Sequence, residues 1–348
     1  MILSVMVISH NQACLIRRCL DSVLAQQIDE PWEVIVSDDY STDETWTIIQ
    51  EYVSKYPKSK KIKGGYSPVI HAYRIDSSKY SPTTSSDRCA ANKANVYKHA
   101  RGQFCVNIDA DDYLLGHNIY QYQINQLKRY PRCSMAVQNI WYQDDGKTIE
   151  EGHLWHPKNK WSENEIISLQ EYCKRRAFIS NPAFMMRRDE MLDPMDKYGL
   201  MFDDPIISAH HFQKGEIICS TKAQYVYVQY HNSIWNQVNF NMDDRFIRNL
   251  TVLVAYVHFF PKEKYSFLEL EHYNWITNLR SILKKKKSLA LSEQTNAYVK
   301  RLNNNCLEKI IRGNRMYIFL LLCIMLLISK TNNYKGLLAA TMCKVIEM

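Results

Sequence analysis

Glu33-Val34-Ile35-Val36-Ser37-Asp38-Asp39-Tyr40-Ser41-Thr42-Asp43-Glu44-Thr45 is the stretch on which the fold turns. Val34, Ile35 and Val36 form an unbroken β-branched run, which suits a strand buried on both faces. The run ends at paired acids, and Ser41, Thr42 and Asp43 then bring turn chemistry. Asp43 stands where an N-cap is expected, ahead of a helix reaching about residue 56 with Thr45, Ile48 and Ile49 following. Upstream, residues 2–8 read as a second buried strand. Residues 13–27 carry Leu15, Cys19, Leu20, Val23 and Leu24 at helical spacing. Strand, helix, strand, helix predicts βαβ units: an α/β fold with a mostly parallel sheet flanked by helices.

Downstream the same alternation continues with interruptions. Lys58, Lys60, Lys61, Lys63, Gly64 and Gly65 predict a solvated loop, residues 69–73 a short strand, and the Ser/Thr-rich residues 77–86 a loop over the site. A helix over 88–100 stops at Gly102. A buried strand follows at 104–108, with Asp109-Ala110-Asp111-Asp112 at its end. A helix over 116–130, a strand over 135–142 and short strands at 184–186, 217–219 and 223–230 come next. After about residue 241 the pattern turns helical and basic, which predicts a boundary between 1–240 and 241–348.

Composition narrows the class. With 46% hydrophobic and 23% charged residues the chain is globular rather than disordered. Its ten cysteines show no C-x-x-C pair and no zinc spacing, and read as reduced thiols of a cytosolic protein. The opening residues lack a basic region and a cleavage site, so no secretory leader is expected. The net charge of +8 is carried by residues 280–315, where ten Lys/Arg face two acids. The rest is neutral overall, which gives nucleic-acid binding no electrostatic support. The basic segment runs into an apolar stretch at 317–328, shorter than the ~20 residues that span a bilayer. Residues 280–330 therefore suit an interfacial contact with an anionic membrane surface, or a helix packed on the domain.

In open α/β sheets, ligands bind beyond the carboxyl ends of the strands. Two acidic clusters fall there: Asp38-Asp39, and Asp109 to Asp112. An Asp-x-Asp at a strand end can present two carboxylates to one side, which suits a hard divalent cation shared with phosphate oxygens.

The order and spacing of several stretches resemble the family 2 glycosyltransferases of the GT-A fold. Ser4-Val5-Met6-Val7-Ile8-Ser9-His10-Asn11 is similar to that family's S-V-I-I-P-T-Y-N. Cys19-Leu20-Asp21-Ser22-Val23-Leu24-Ala25-Gln26 resembles C-L-x-S-V-L-x-Q. The opening stretch resembles E-I-I-V-V-D-D-G-S-T-D-x-T, and the region from Asn92 through Asp112 resembles N-x-G-x-x-x-A-x-G-x-Y-I-x-x-x-D-x-D-D. The likeness covers residues 2–115, with His10, Tyr40 and Ala91 departing from the usual Tyr, Gly and Arg. It implies a nucleotide-sugar-binding half over 1–115 and an acceptor-side half over 116–240.

The resemblance implies roles as well. Asp39 would accept from the N–H of a uracil-like base, with Ser9, Asn11 and Asp38 lining the nucleotide pocket and Asn92 and Lys93 beside it. Asp109, Ala110 and Asp111 would meet the donor. Asp109 and Asp111 would hold Mg²⁺ or Mn²⁺, with Asp112 as the alternative to Asp109. Phe202-Asp203-Asp204 resembles F-x-E-D, which makes Asp204 the expected general base and Asp203 an acceptor ligand or the alternative base. Asp203 also reads as an N-cap with Pro205 in the first turn. Residues 225–233 resemble Y-x-Y-R-x-H-x-x-S, which makes His231 a candidate metal ligand. His210-His211 reads as surface or packing. The expected activity is transfer from a nucleotide-diphosphate sugar to a saccharide or lipid-linked acceptor at the inner face of the plasma membrane, in surface polysaccharide assembly. The alternatives are a catalytically silent carbohydrate-binding or scaffold protein of the same fold, and a nucleotidyltransferase. The latter is disfavoured because Ser9 to Ala13 contains no glycine.

Overall fold

A computed structural model of the chain describes residues 1–79, 85–154, 161–175 and 183–230, the side chains of 85–87 excepted, with further positions between 252 and 267. The strands are β1 (Leu3–Ser9), β2 (Glu33–Asp38), β3 (Lys60–Ile62), β4 (Gly65–Ser67), β5 (Val69–Arg74), β6 (Phe104–Asp109), β7 (Tyr113–Leu114), β8 (Cys133–Asp144), β9 (His153–Leu154), β10 (Ile166–Ile167), β11 (Phe184–Arg187) and β12 (Glu216–Gln229). The helices are α1 (Ile16–Leu24), α2 (Thr45–Lys55), α3 (Ser85–His99), α4 (Ile119–Arg129), α5 (Leu169–Arg175), α6 (Pro194–Tyr198) and α7 (Asp204–Phe212). The chain divides into two compact units. The first comprises Met1–Thr83, Asp87–Leu169 and Ile179–Tyr230, and the second Thr84–Ser86, Gln170–Phe178 and His231–Met348.

In the first unit ten strands form one sheet. Its path is β10-β12-β8-β11-β6-β1-β2-β5, with β7 on β12 and β9 on β8. β5, β2, β1 and β6 run parallel. β11 lies antiparallel between β6 and β8. β1 and β2 are buried along nearly their whole length, with apolar residues 5–8 and 34–36 at their centres, as strands of a parallel sheet covered on both faces are. α1 buries Ile16, Cys19, Leu20 and Val23, a stripe at i, i+3, i+4 and i+7. Each such fully buried aliphatic contributes about 1.5–3 kcal/mol.

The edge of the sheet where the parallel strands begin is fixed by a buried carboxylate. Glu33 accepts from the Ser4 hydroxyl at 2.7 Å and the Arg101 backbone N–H at 2.8 Å, with the Arg101 Nε at 3.3 Å. Gly102 follows, and a Cβ there would lie 2.4 Å from the Ser4 nitrogen, so the turn into β6 admits only glycine.

Three local expectations are revised. α2 starts at Thr45 with Glu44 at the N-cap position, while Asp43 sits one residue earlier. Its carboxylate accepts from the Thr45 N–H at 3.0 Å and the Ala13 N–H at 3.1 Å, so it caps the turn and pins the α1 approach together. The lysine-rich loop contains a two-stranded hairpin, β3 against β4, exposed along β3. The short strands expected at 217–219 and 223–230 are one strand, β12, whose pairing with β8 shifts register around Cys219 and Ala223. Polar Ser220-Thr221-Lys222 falls at that irregularity, which is why the sequence reads there as a break.

In the second unit, Arg175 bonds Glu171 one turn earlier on α5 at 2.7 Å. Tyr256 stacks on Phe267 with centroids 4.4 Å apart. Among the described residues no helix is long and apolar enough to cross a membrane. The segments 280–330 and 317–328 lie outside the described residues.

Candidate active site

Parallel register collects the acidic clusters. Ser9 pairs with Asp38 and Ile8 with Asp109, so the ends of β1, β2 and β6 share one edge of the sheet. β1 lies between β2 and β6, where the strand order reverses, the switch point at which open α/β sheets bind ligands.

Asp38 is fully buried and organises the turn beyond β2. It accepts from Ser9 Oγ at 3.2 Å, the Ser41 N–H at 3.0 Å, the Ser41 hydroxyl, and Arg74 Nε at 3.3 Å. The guanidinium of Arg74 also lies over the Tyr40 and Trp46 rings, at 4.3 and 5.0 Å. Tyr40 itself has φ 49°, so this side chain takes the left-handed conformation usually left to glycine.

Asp39 is 2% exposed. Its two oxygens accept from the Ser77 N–H at 3.0 Å and the Ser77 hydroxyl at 2.7 Å, with Arg88 Nη1 at 3.6 Å. His10 Nδ1 meets the Asp39 carbonyl at 2.7 Å, and His10 Nε2 meets Arg88 Nη1 at 3.0 Å. Asn11, also at positive φ, accepts from the Thr42 N–H at 2.9 Å.

Asn92 is buried and committed to the strand ends. Its amide nitrogen donates to the Ser9 carbonyl at 3.1 Å, and its oxygen accepts from Ser37 Oγ at 2.7 Å. Arg88, Asn92 and Asn95 recur at i, i+4 and i+7 of α3 and bind the same region, with Asn95 on Ser37 Oγ at 2.9 Å. That helical stripe was the available signal for Arg88, which sequence reasoning passed over. Ser77 had no comparable signal within its Ser/Thr-rich stretch.

Asp109, Asp111 and Asp112 each offer an oxygen within 4.8 Å of the others. Ala110, 2% exposed, donates its N–H to the Ile8 carbonyl at 3.1 Å and holds the bend in place. Burial drives the Asp109 carboxyl up to about 6; Lys93 pulls against it, and Asp111 and Asp203 add to it. Burial likewise raises Asp111, against the pull of Arg18. Asp112 differs. One oxygen accepts from the Tyr225 hydroxyl and the other from the Val228 N–H at 2.9 Å, which ties the β6 end to β12. The backbone carbonyl of Asp111 accepts from Arg18 Nη2 at 2.8 Å, but among the described residues the carboxylates of Asp109 and Asp111 accept no hydrogen bond from another residue. Two buried carboxylates with open oxygens fit a hard divalent cation, whose charge would offset the burial that raises them.

Lys93 lies on the opposite side of Asn92 from Arg88 along α3. It is 6% exposed. Its ammonium lies 2.8 Å from Asp203 Oδ1 and bonds Asp204 Oδ1. Burial works against the charged lysine, but Asp203, Asp204 and Asp109 outweigh it and hold its pKa well above the ordinary range. Asp203 caps α7, accepting from the Asp204 N–H at 2.9 Å with Pro205 following. Burial raises the Asp204 carboxyl to about 6, opposed by Lys93 and assisted by Asp203 and Asp109. His210 and His211 are buried away from these groups, His210 between Tyr198 and Asp189. His231 lies outside the described residues.

Residues 4–67 match the family model described as Glycosyl transferase family 2. Uncharacterized proteins of Mycobacterium bovis and Mycobacterium tuberculosis are 28% identical over 236 residues, 67% of this chain. The chain spans 60% of the length of those relatives. A poly(ribitol-phosphate) beta-glucosyltransferase of Bacillus spizizenii is 29% identical over 113 residues, 32% of this chain and 15% of that protein. Among solved structures, S. aureus TarS 1-349 in complex with UDP-GlcNAc has a TM-score of 0.58 at 18% identity, covering 91% of this chain and 89% of that one. That likeness is one of fold, the mixed α/β sheet with flanking helices described above. With the family match at residues 4–67, the chain is similar to glycosyl transferase family 2 there and carries a GT-A-like fold.

Proposed function

We propose that this chain transfers a sugar from a nucleotide-diphosphate sugar, a UDP-sugar in this reading, to a hydroxyl of a saccharide or lipid-linked acceptor with inversion at the anomeric carbon. One observation carries the reading. Register places Ser9, Asp38-Asp39 and Asp109–Asp112 along one edge, and Lys93 joins that edge to Asp203-Asp204 on α7.

Asp39 and the groups around it accept the base. Asp109 and Asp111 would hold Mg²⁺ or Mn²⁺, which would supply charge stabilisation to the departing diphosphate. Asp112, with both oxygens engaged, supports the bend that carries them. Asp204 takes the proton of the acceptor hydroxyl, since its raised pKa suits a general base near neutral pH. Asp203 fixes the start of α7 and so the place of Asp204. Rate arises from positioning and from stabilising charge that develops on the leaving group.

The wider assignment follows the same reading. Residues 1–240 form the catalytic domain. Residues 241–348 form a basic helical region that brings 280–330 to an anionic membrane surface at the cytoplasmic face. There the acceptor belongs to capsule, O-antigen or exopolysaccharide assembly. The TarS structure of the same fold holds UDP-GlcNAc, which makes that compound the first donor to test. UDP release from a panel of UDP-sugars with Mn²⁺, followed by the product's anomeric configuration, tests the proposal. No UDP release from any donor, with no thermal stabilisation by UDP and Mn²⁺, would reject it.

A further inference from the structure

Lys93 is the buried cation of a site that otherwise contains carboxylates on two elements. Asp109 and Asp111 lie at the end of β6, and Asp203 and Asp204 at the start of α7. The lysine's backbone is held by its neighbour: Asn92 bonds both the Ser9 carbonyl and Ser37 Oγ, which leaves α3 little freedom to shift there. The ammonium meets one oxygen of Asp203 and one of Asp204, and its charge also acts on Asp109. The second oxygen of Asp204 accepts no bond among the described residues. Four acidic groups around one small volume would, without that cation, be drawn together onto any divalent ion that entered.

We propose that Lys93 is a positioning residue that holds the Asp203-Asp204 pair away from the Asp109-Asp111 pair, so that Asp204 stays off the metal and remains free for the acceptor hydroxyl. The proposal rests on the glycosyl-transfer reading above. It goes beyond that reading by giving Lys93 a place on the acceptor side, where the family pattern suggested only a neighbour of the nucleotide. A lysine suits the task. Its ammonium can donate to carboxylates of both residues at once, and the surrounding carboxylates keep it charged.

Three variants test it: Lys93→Met and Lys93→Gln remove the charge, and Lys93→Arg keeps it. Mn²⁺ alone is titrated into each by calorimetry. The neutral variants should bind Mn²⁺ about tenfold tighter than wild type or more, because an opposing charge has left the carboxylates. Lys93→Arg should bind it as wild type does. With a UDP-sugar that wild type uses, kcat should fall about 10²-fold in the neutral variants while donor KM stays within about threefold, and Lys93→Arg should recover most of the loss. A packing role alone would not tighten Mn²⁺ binding. Equal Mn²⁺ affinity in wild type and a folded neutral variant would overturn the proposal, as would collapse of both neutral variants. If wild type uses no donor at all, the glycosyl-transfer reading fails on its own, and the Mn²⁺ titrations still decide the placement of Lys93.

Discussion

Ser77 donates its backbone N–H and its hydroxyl to the two carboxylate oxygens of Asp39, at 3.0 and 2.7 Å. Asp39 stands just beyond β2 and Ser77 three residues beyond β5, so the pair closes the turn above two parallel neighbours. A carboxylate oxygen can accept two bonds, and Asp39 therefore keeps capacity for a base N–H while Ser77 holds its plane. Asp39→Asn should weaken UDP binding about 10- to 100-fold, the range for a lost hydrogen bond to a charged group, with kcat at saturating donor little changed. Ser77→Ala should weaken it by a smaller factor, since the carboxylate remains but is no longer oriented. Calorimetry with UDP and Mn²⁺ measures both. Equal affinity in wild type and Asp39→Asn would remove Asp39 from the nucleotide pocket.

Asp204 provides the pH test. Its carboxyl is raised to about 6, and only the ionised form can accept a proton. The rate should therefore fall as pH drops through about 6, by about tenfold per unit on the acid limb. Asp204→Asn should retain UDP binding and lose roughly 10²- to 10⁴-fold in turnover. The sign for stability is opposite to that for rate. A carboxyl with a folded pKa above its unfolded value binds its proton more readily when folded, so Asp204 contributes least to stability above pH 6. A turnover unchanged by the substitution would move the base to Asp203 or elsewhere.

Much of this arrangement was legible because the signals were local. The β-branched run at Val34–Val36 and the paired acids after it identified a buried parallel strand and its carboxyl end. The fold class followed from alternation with helices. What escaped was set by distant contacts. Nothing local to Asp112 shows that both its oxygens are taken by β12, 113 and 116 residues away. The resemblance sets Lys93 beside the nucleotide pocket, and its ion pairs with Asp203 and Asp204, 110 and 111 residues away, have no local signal. The polar break at Ser220-Thr221-Lys222 hid a continuous strand, because a register irregularity tolerates residues that otherwise mark turns.

Asp111 and Asp112 are adjacent and should fail in different ways. The Asp111 carboxylate takes no hydrogen bond from another described residue, whereas the Asp112 carboxylate accepts from the Tyr225 hydroxyl and the Val228 N–H. Asp111→Ala should abolish Mn²⁺-dependent UDP binding and leave thermal stability near wild type. Asp112→Ala should cost about 1–3 kcal/mol of stability by orphaning buried donors. Thermal unfolding beside UDP titration with Mn²⁺ separates the two. If Asp112→Ala keeps full stability and loses only metal binding, Asp112 rather than Asp111 is the ligand.

His211 offers a prediction independent of the site. It is 1% exposed, neither ring nitrogen has a hydrogen-bond partner among the described residues, and the rings of Tyr97 and His210 lie 6.0 and 5.1 Å away. Burial, with His210 adding to it, lowers its pKa to about 3, so it is neutral in the folded chain. An unfolded histidine takes up its proton near pH 6.5. Between that value and about 3 the unfolded chain binds the extra proton, so the stability present above pH 6.5 is lost as pH falls. His211→Leu removes the titrating group and two unsatisfied buried nitrogens while roughly keeping side-chain volume. Stability at pH 7.5 should hold or rise, since each unsatisfied buried polar atom costs about 1–3 kcal/mol. The loss of stability between pH 6.5 and 4 should shrink, leaving mainly the part due to His210, whose pKa is lowered to about 4. Urea unfolding across that range measures both effects, and an unchanged acid slope in His211→Leu would mean that His211 is protonated in the folded protein.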